Sequence, residues 1–209
     1  MRGLLIESHF LPSIEYFCLL MSHDTIMLEA HEHYVKQSYR NRCYILTAHG
    51  KERLTVPITE KHGKVSMASV RIHAGDRWQN NLWRTIQSAY AKAPFFEHYR
   101  DELHQQLFSA ESTLLELNRR LLSLCLNWLR WEKTVNITAS YGPDTDLRDC
   151  RGMISAKKDF GHRTVYRPVA YQQVFGKSFV PNLSILDLVC CAGPDAGRII
   201  QASSGDLNK

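Results

Sequence analysis

Gly3-Leu-Leu-Ile-Glu7, the turn His9-Phe-Leu-Pro-Ser13, the apolar stretch Ile14 to Met21 and Thr25-Ile-Met-Leu-Glu29 together decide the fold. Two short apolar runs bounded by turn residues read as buried strands, and the stretch between them is long enough for a helix. A strand-loop-helix-strand unit with the usual right-handed crossover sets its two strands parallel. Outward from it, Cys43 to Thr47 and Arg53 to Pro57 flank Ala-His-Gly-Lys-Glu and predict a hairpin with Gly50 in its turn. Val70 to His73 predicts one more strand, and Val135 to Thr138 a late strand returning to the sheet.

The middle of the chain is helical. Asp76 and Gln79 have the spacing of a capping pair, and Trp78, Leu82, Trp83, Ile86, Ala89 and Tyr90 recur at helical intervals. Pro94 ends that helix and opens a second, from Phe95 to about Phe108. A third begins near Thr113 and Glu116 and carries Leu114, Leu117, Leu121 and Trp128 on one face. Tyr141 to Lys158, rich in Gly, Asp, Arg and Lys, predicts a poorly packed loop with a short helix at most. Asn182 is placed to cap an apolar helix from Leu183 to Ala192, which Gly193 and Pro194 stop. The expectation is a single α/β domain over residues 1–209: the N-terminal unit, a short mixed sheet and a helical middle segment.

At 209 residues, 44% apolar and 22% charged, the chain is neither disordered nor membrane-embedded in composition. Its 26 Lys and Arg exceed its 21 Asp and Glu by a net +5, which suits an anionic ligand but not a nucleic-acid coat. Six cysteines without a CxxC pair, several in apolar contexts, read as reduced core residues and imply a cytoplasmic location. The N-terminal apolar run is too short for a signal peptide, and no run reaches the roughly 18 residues of a membrane span.

The chemistry-bearing stretch is His31 to Arg42. Between Lys36 and Arg53 stand Lys36, Arg40, Arg42, Lys51 and Arg53 against Glu52 alone, a local +4. Guanidinium forks match phosphate or carboxylate oxygens, so Lys36, Arg40 and Arg42 suit an anionic group, although runs of charge are more commonly solvated surface. His31 and His33, two apart, share a face of an extended backbone, but a metal site needs a third ligand that only Glu29 or His9 offers, and no metal is expected. His9 follows the first strand, at the carboxyl end where open α/β sheets hold ligands. The aromatic pair of helices around Tyr90 and Lys92 reads mostly as core, and Ser184 and Asp187 mostly as helix-start residues. GxSxG, P-loop, GxGxxG and HExxH patterns are absent, which takes most of the support from the familiar hydrolases, kinases and zincins.

Five segments in order resemble the WbqC-like family, a bacterial group of O-antigen and other surface-polysaccharide gene clusters. They are His9-Phe-Leu-Pro-Ser-Ile-Glu-Tyr-Phe17, Lys36-Gln-Ser-Tyr-Arg-Asn-Arg42, Thr55-Val-Pro57, Tyr90-Ala-Lys-Ala-Pro-Phe-Phe96 and Pro181-Asn-Leu-Ser-Ile-Leu-Asp187. The chain departs from the family at Glu7-Ser8, where Gln-Pro is usual, and at Glu15, where Gly is usual. The resemblance implies a group-transfer enzyme, with glycine or another aminoacyl group passed to a nucleotide- or lipid-linked sugar. Lys36, Arg40 and Arg42 would then hold the anionic carrier, with Ser38, Tyr39, Asn41, Tyr90, Lys92, Ser184 and Asp187 as further substrate contacts. His9, His31 and His33 are the candidate bases, since imidazoles exchange protons near neutral pH. Two other readings compete: a HIGH-type nucleotidyltransferase, whose paired histidines are missing from the first turn, and a noncatalytic scaffold of the envelope pathway. No cofactor or oligomeric state can be read from the chain.

Overall fold

The computed structural model describes residues 3–59, 64–75, 77–110, 112–142 and 146–205. Strand β1 (Gly3–Glu7) leads through the first turn into α1 (Ile14–Leu20) and then β2 (Thr25–Glu29), which lies parallel to β1. Every residue of α1 is buried, Glu15 included, and the helix packs against two later helices. Leu4, Ile6, Ile26 and Leu28 are fully buried, each stabilising by about 1.5–3 kcal/mol.

The hairpin forms as β3 (Arg42–Thr47) and β4 (Gly50–Thr55), a two-stranded antiparallel ribbon apart from the main sheet. Gly50 takes φ 100° at its turn, a conformation glycine adopts without a Cβ penalty. The helical middle comprises α2 (Trp78–Tyr90), α3 (Phe96–Leu107) and α4 (Leu114–Trp128). Strand β5 (Thr134–Ile137) then returns beside β2, β6 (Leu147–Asp149) pairs with β1, and α5 (Ile185–Ala192) and α6 (Ala196–Ser203) close the fold. The main sheet is parallel throughout, in the order β5-β2-β1-β6.

Three expectations are corrected. Val70 to His73 is not a strand: it makes only isolated bridges, Ile72 with Ile58 and Arg71 with Thr113, because no neighbouring chain runs beside it long enough to form a ladder. The segment from Tyr141 is not loop alone, since it supplies β6 and the buried Cys150 and Ile154; its three-residue strand is stabilised by pairing with distant β1 and leaves no periodic signal. Ser184, not Asn182, caps α5 by accepting the Leu186 N–H. Asn182 instead takes φ 53° and accepts the Glu15 N–H at 3.1 Å, capping α1 across the fold. Asp76 of the expected capping pair lies outside the described residues.

Candidate active site at the strand ends

The parallel register makes Glu7 and Glu29 Cα partners, so two carboxylates end adjacent strands side by side. Left alone, two buried like charges so placed would be costly. Backbone and side-chain partners from three other segments meet them. Arg151, just beyond β6, donates from Nη1 to Glu29 at 2.6 Å and grips Asp149 with its Nε and Nη2. Glu29 also accepts the His31 N–H at 2.8 Å and the Thr138 hydroxyl at 3.0 Å. Gly152, at φ 74°, donates its N–H to Glu7 at 3.0 Å. Any other residue at this position would strain the turn that delivers the bond.

His9 stands next to these groups. It is 2% exposed, and its Nε2 lies 3.5 Å from Glu7 Oε1. The ring rests against Tyr16 and Tyr39, with centroids 4.8 and 5.3 Å away; Nε2 faces Glu7, and Nδ1 has no hydrogen-bond partner among the described residues. A buried imidazole held by aromatic faces, one nitrogen on a carboxylate and the other unbonded, is an unusual use of a polar side chain. Arg40 enters from the other side and clasps Glu32 with Nε at 2.8 Å and Nη2 at 2.6 Å. Burial pushes the Glu7 carboxyl up, but the neighbouring His9 ring and the Arg40 charge together hold it below its ordinary value. At Glu32 burial dominates, and the charges of Glu7 and Glu29 add to it, so that carboxyl is raised despite Arg40.

A lowered pKa in the folded state means that ionised Glu7 contributes stability above the ordinary value of 4.5 and loses it as the pH falls through the folded value. Glu7→Gln should therefore differ most from the parent near neutral pH, with the gap shrinking on acidification. Urea unfolding followed from about pH 6 to about pH 3 checks this; parallel curves would exclude it.

The other expected site residues separate into groups. His31 is partly buried and spends Nε2 on the Thr138 carbonyl at 3.1 Å, while His33 and Lys36 are exposed. Ser38 donates to the Val35 carbonyl and Asn41 to the Val56 carbonyl, so both shape the chain around Arg40. Tyr39 is buried against His9. Arg42 is partly buried, and its Nε has no hydrogen-bond partner among the described residues. Tyr90 and Asp187 do meet, but in a separate buried network in which Asp187 accepts from Tyr90 at 2.9 Å, Tyr171 at 2.6 Å and Gln173 at 2.9 Å. Ser184 donates to the Leu11 carbonyl and so ties α5 to the first turn, and Lys92 is exposed. The structure thus brings His9, Tyr39 and Arg40 together and leaves His33, Lys36 and Lys92 outside. Among the described residues no group of three or more His, Cys, Asp or Glu side chains is set to hold a metal ion.

The family model for the WbqC-like protein family matches residues 7–169, which takes in the first turn, the basic segment and the residues after β6. The chain belongs to this family. It is also similar to the uncharacterized protein Rv1507c of Mycobacterium tuberculosis (strain ATCC 25618 / H37Rv), with 30% identity over 129 residues. That match takes in 60% of this chain and 54% of the relative, so the chain spans about half the length of that protein. No solved structure matches.

Glu15, fully buried at the start of α1, is clasped by Arg163, whose Nη2 donates at 2.7 Å, and by Asn182 Nδ2 at 3.0 Å. The acidic charge beside the first turn is therefore met inside the protein. Residues missed from sequence include Glu7, Glu32, Arg151 and Asn118. Asn118 lies 1% exposed within the leucine face of α4 and donates to the Arg40 carbonyl at 2.8 Å. An amide in the middle of an apolar helix face was the available signal.

Proposed function

We propose that this WbqC-like protein is a group-transfer enzyme that passes an aminoacyl group, glycyl in the simplest case, to a nucleotide- or lipid-linked sugar of surface polysaccharide synthesis, with His9 as its general base. The observation that carries this reading is the buried His9 ring, its Nε2 facing Glu7 and its Nδ1 without a hydrogen-bond partner among the described residues, at the carboxyl ends of parallel strands. That end of an open α/β sheet is where ligands of such folds bind. A carboxylate that orients an imidazole is also the general arrangement for drawing a proton from a weak nucleophile.

In this reading the acceptor hydroxyl or amine attacks the carbonyl carbon of the donor. A bond forms from the acceptor oxygen or nitrogen to that carbon, and the bond from carbon to the leaving oxygen breaks. His9 takes the acceptor's proton and returns it to the leaving oxygen, so no further reactant is needed. Glu7 orients the ring and stabilises the imidazolium that forms between the two steps. Arg40, committed to Glu32, fixes the backbone of the basic segment, which leaves Arg42 and Lys36 as the cations for an anionic carrier.

The test is product formation. Purified protein is incubated with aminoacyl donors, including aminoacylated tRNA and aminoacyl phosphates, and with nucleotide- and lipid-diphosphate-linked sugars. Mass spectrometry should detect an aminoacylated sugar; failure across every donor and acceptor combination would overturn the reading.

A further inference from the structure

Away from the strand ends, β4 and the beginning of α2 face each other across a groove of about 730 Å³. This lies within the range of about 300–1,000 Å³ usual for small-ligand sites. Its wall includes Trp78, a core ring with 8% of its surface exposed. Thr55 and Asn81 supply a hydroxyl and an amide. Arg53 and Arg77 line it as well, and neither side chain has a hydrogen-bond or ion-pair partner among the described residues. Glu52 is the opposing charge among the described residues of the lining.

These groups match one ligand chemistry. Sugar rings present C–H faces that pack on aromatic rings and hydroxyl edges that hydrogen-bond to planar amides, while guanidinium forks donate to carboxylates in bidentate pairs. An apolar peptide would leave both arginines and Asn81 without partners. Thr55 is also the register partner of Arg42 in the β3–β4 ribbon.

We propose that this groove binds an anionic oligosaccharide, a short sugar chain bearing carboxylates, and holds it as the acceptor of the transfer. The acceptor role rests on the function proposed above, whereas the binding does not.

Binding is measured by tryptophan fluorescence and calorimetry on the full chain, with trigalacturonate as probe, maltotriose as its neutral counterpart and uridine diphosphate as a phosphate source. Trigalacturonate should bind at least about tenfold more tightly than maltotriose, and Arg53→Gln with Arg77→Gln should remove at least about tenfold of that affinity. Both arginines are exposed, so the double variant should melt as the parent does. Equal affinity for the charged and neutral sugars would overturn the proposal, as would an unchanged affinity in the double variant. Preferential, arginine-dependent binding of uridine diphosphate would also overturn it, by assigning the groove to a diphosphate. Binding of trigalacturonate without transfer to any sugar would uphold the groove and remove its acceptor role.

Discussion

His9→Asn should lower the turnover of aminoacyl transfer by about 10²- to 10⁴-fold, the usual contribution of a positioned general base. The KM values for donor and acceptor should change little, because His9 acts on the proton in the transition state and not on the bound carrier. The variant keeps the Gly152 N–H bond and the Arg40 charge at Glu7, so the carboxylate is not stranded by the change. A melting temperature close to the parent's, together with the loss of turnover, separates a chemical role from a structural one. If turnover persists at the parent's level, the proton goes elsewhere and the strand-end reading fails.

The largest effect on stability is expected at Arg163. Glu15 is fully buried and Arg163 is 15% exposed, and the two side chains make a paired, bidentate contact. Removing one member of such a pair leaves an uncompensated buried charge, which costs about 3–5 kcal/mol. Arg163→Ala should therefore unfold at clearly lower urea concentration, with a melting temperature lower by roughly 10 °C for a chain of this size. Asn182 would be the remaining side-chain donor to the carboxylate. Glu15→Gln combined with Arg163→Ala removes the stranded charge and should recover much of the loss. A loss below about 1 kcal/mol for Arg163→Ala alone would mean that the pair is solvated and does not hold the chain after β6 against α1.

The N-terminal unit was legible because its strands, turn and helix each carry a local pattern, and the parallel pairing follows from the length of the crossover. Elements defined by distant partners were not. Strand β6 has three residues, alternates too briefly to register, and exists because it pairs with β1. Asn182 was read by its proximity to α5, yet its side chain serves α1, 167 residues away in sequence. At the site, the position of His9 beyond β1 was legible from topology. What sequence could not say is that Glu7 and Glu29 come into register, that Arg151 returns to neutralise Glu29, or that Arg40 turns inward to Glu32. A run of cations reads as one surface until the fold divides it. Here Arg40 is buried, Lys36 is exposed, and Arg53 lines a separate groove.

The most direct test is nitrogen NMR of the imidazole rings, with the His9 signals assigned by their loss in His9→Asn. Titration with an acceptor sugar that the protein aminoacylates should move the His9 ring nitrogens as one of them takes up a hydrogen bond from the substrate, with His33 and the other exposed rings unmoved. Saturating acceptor that leaves the His9 signals in place, while shifting those of another histidine, would contradict a reaction centre at the ends of β1 and β2.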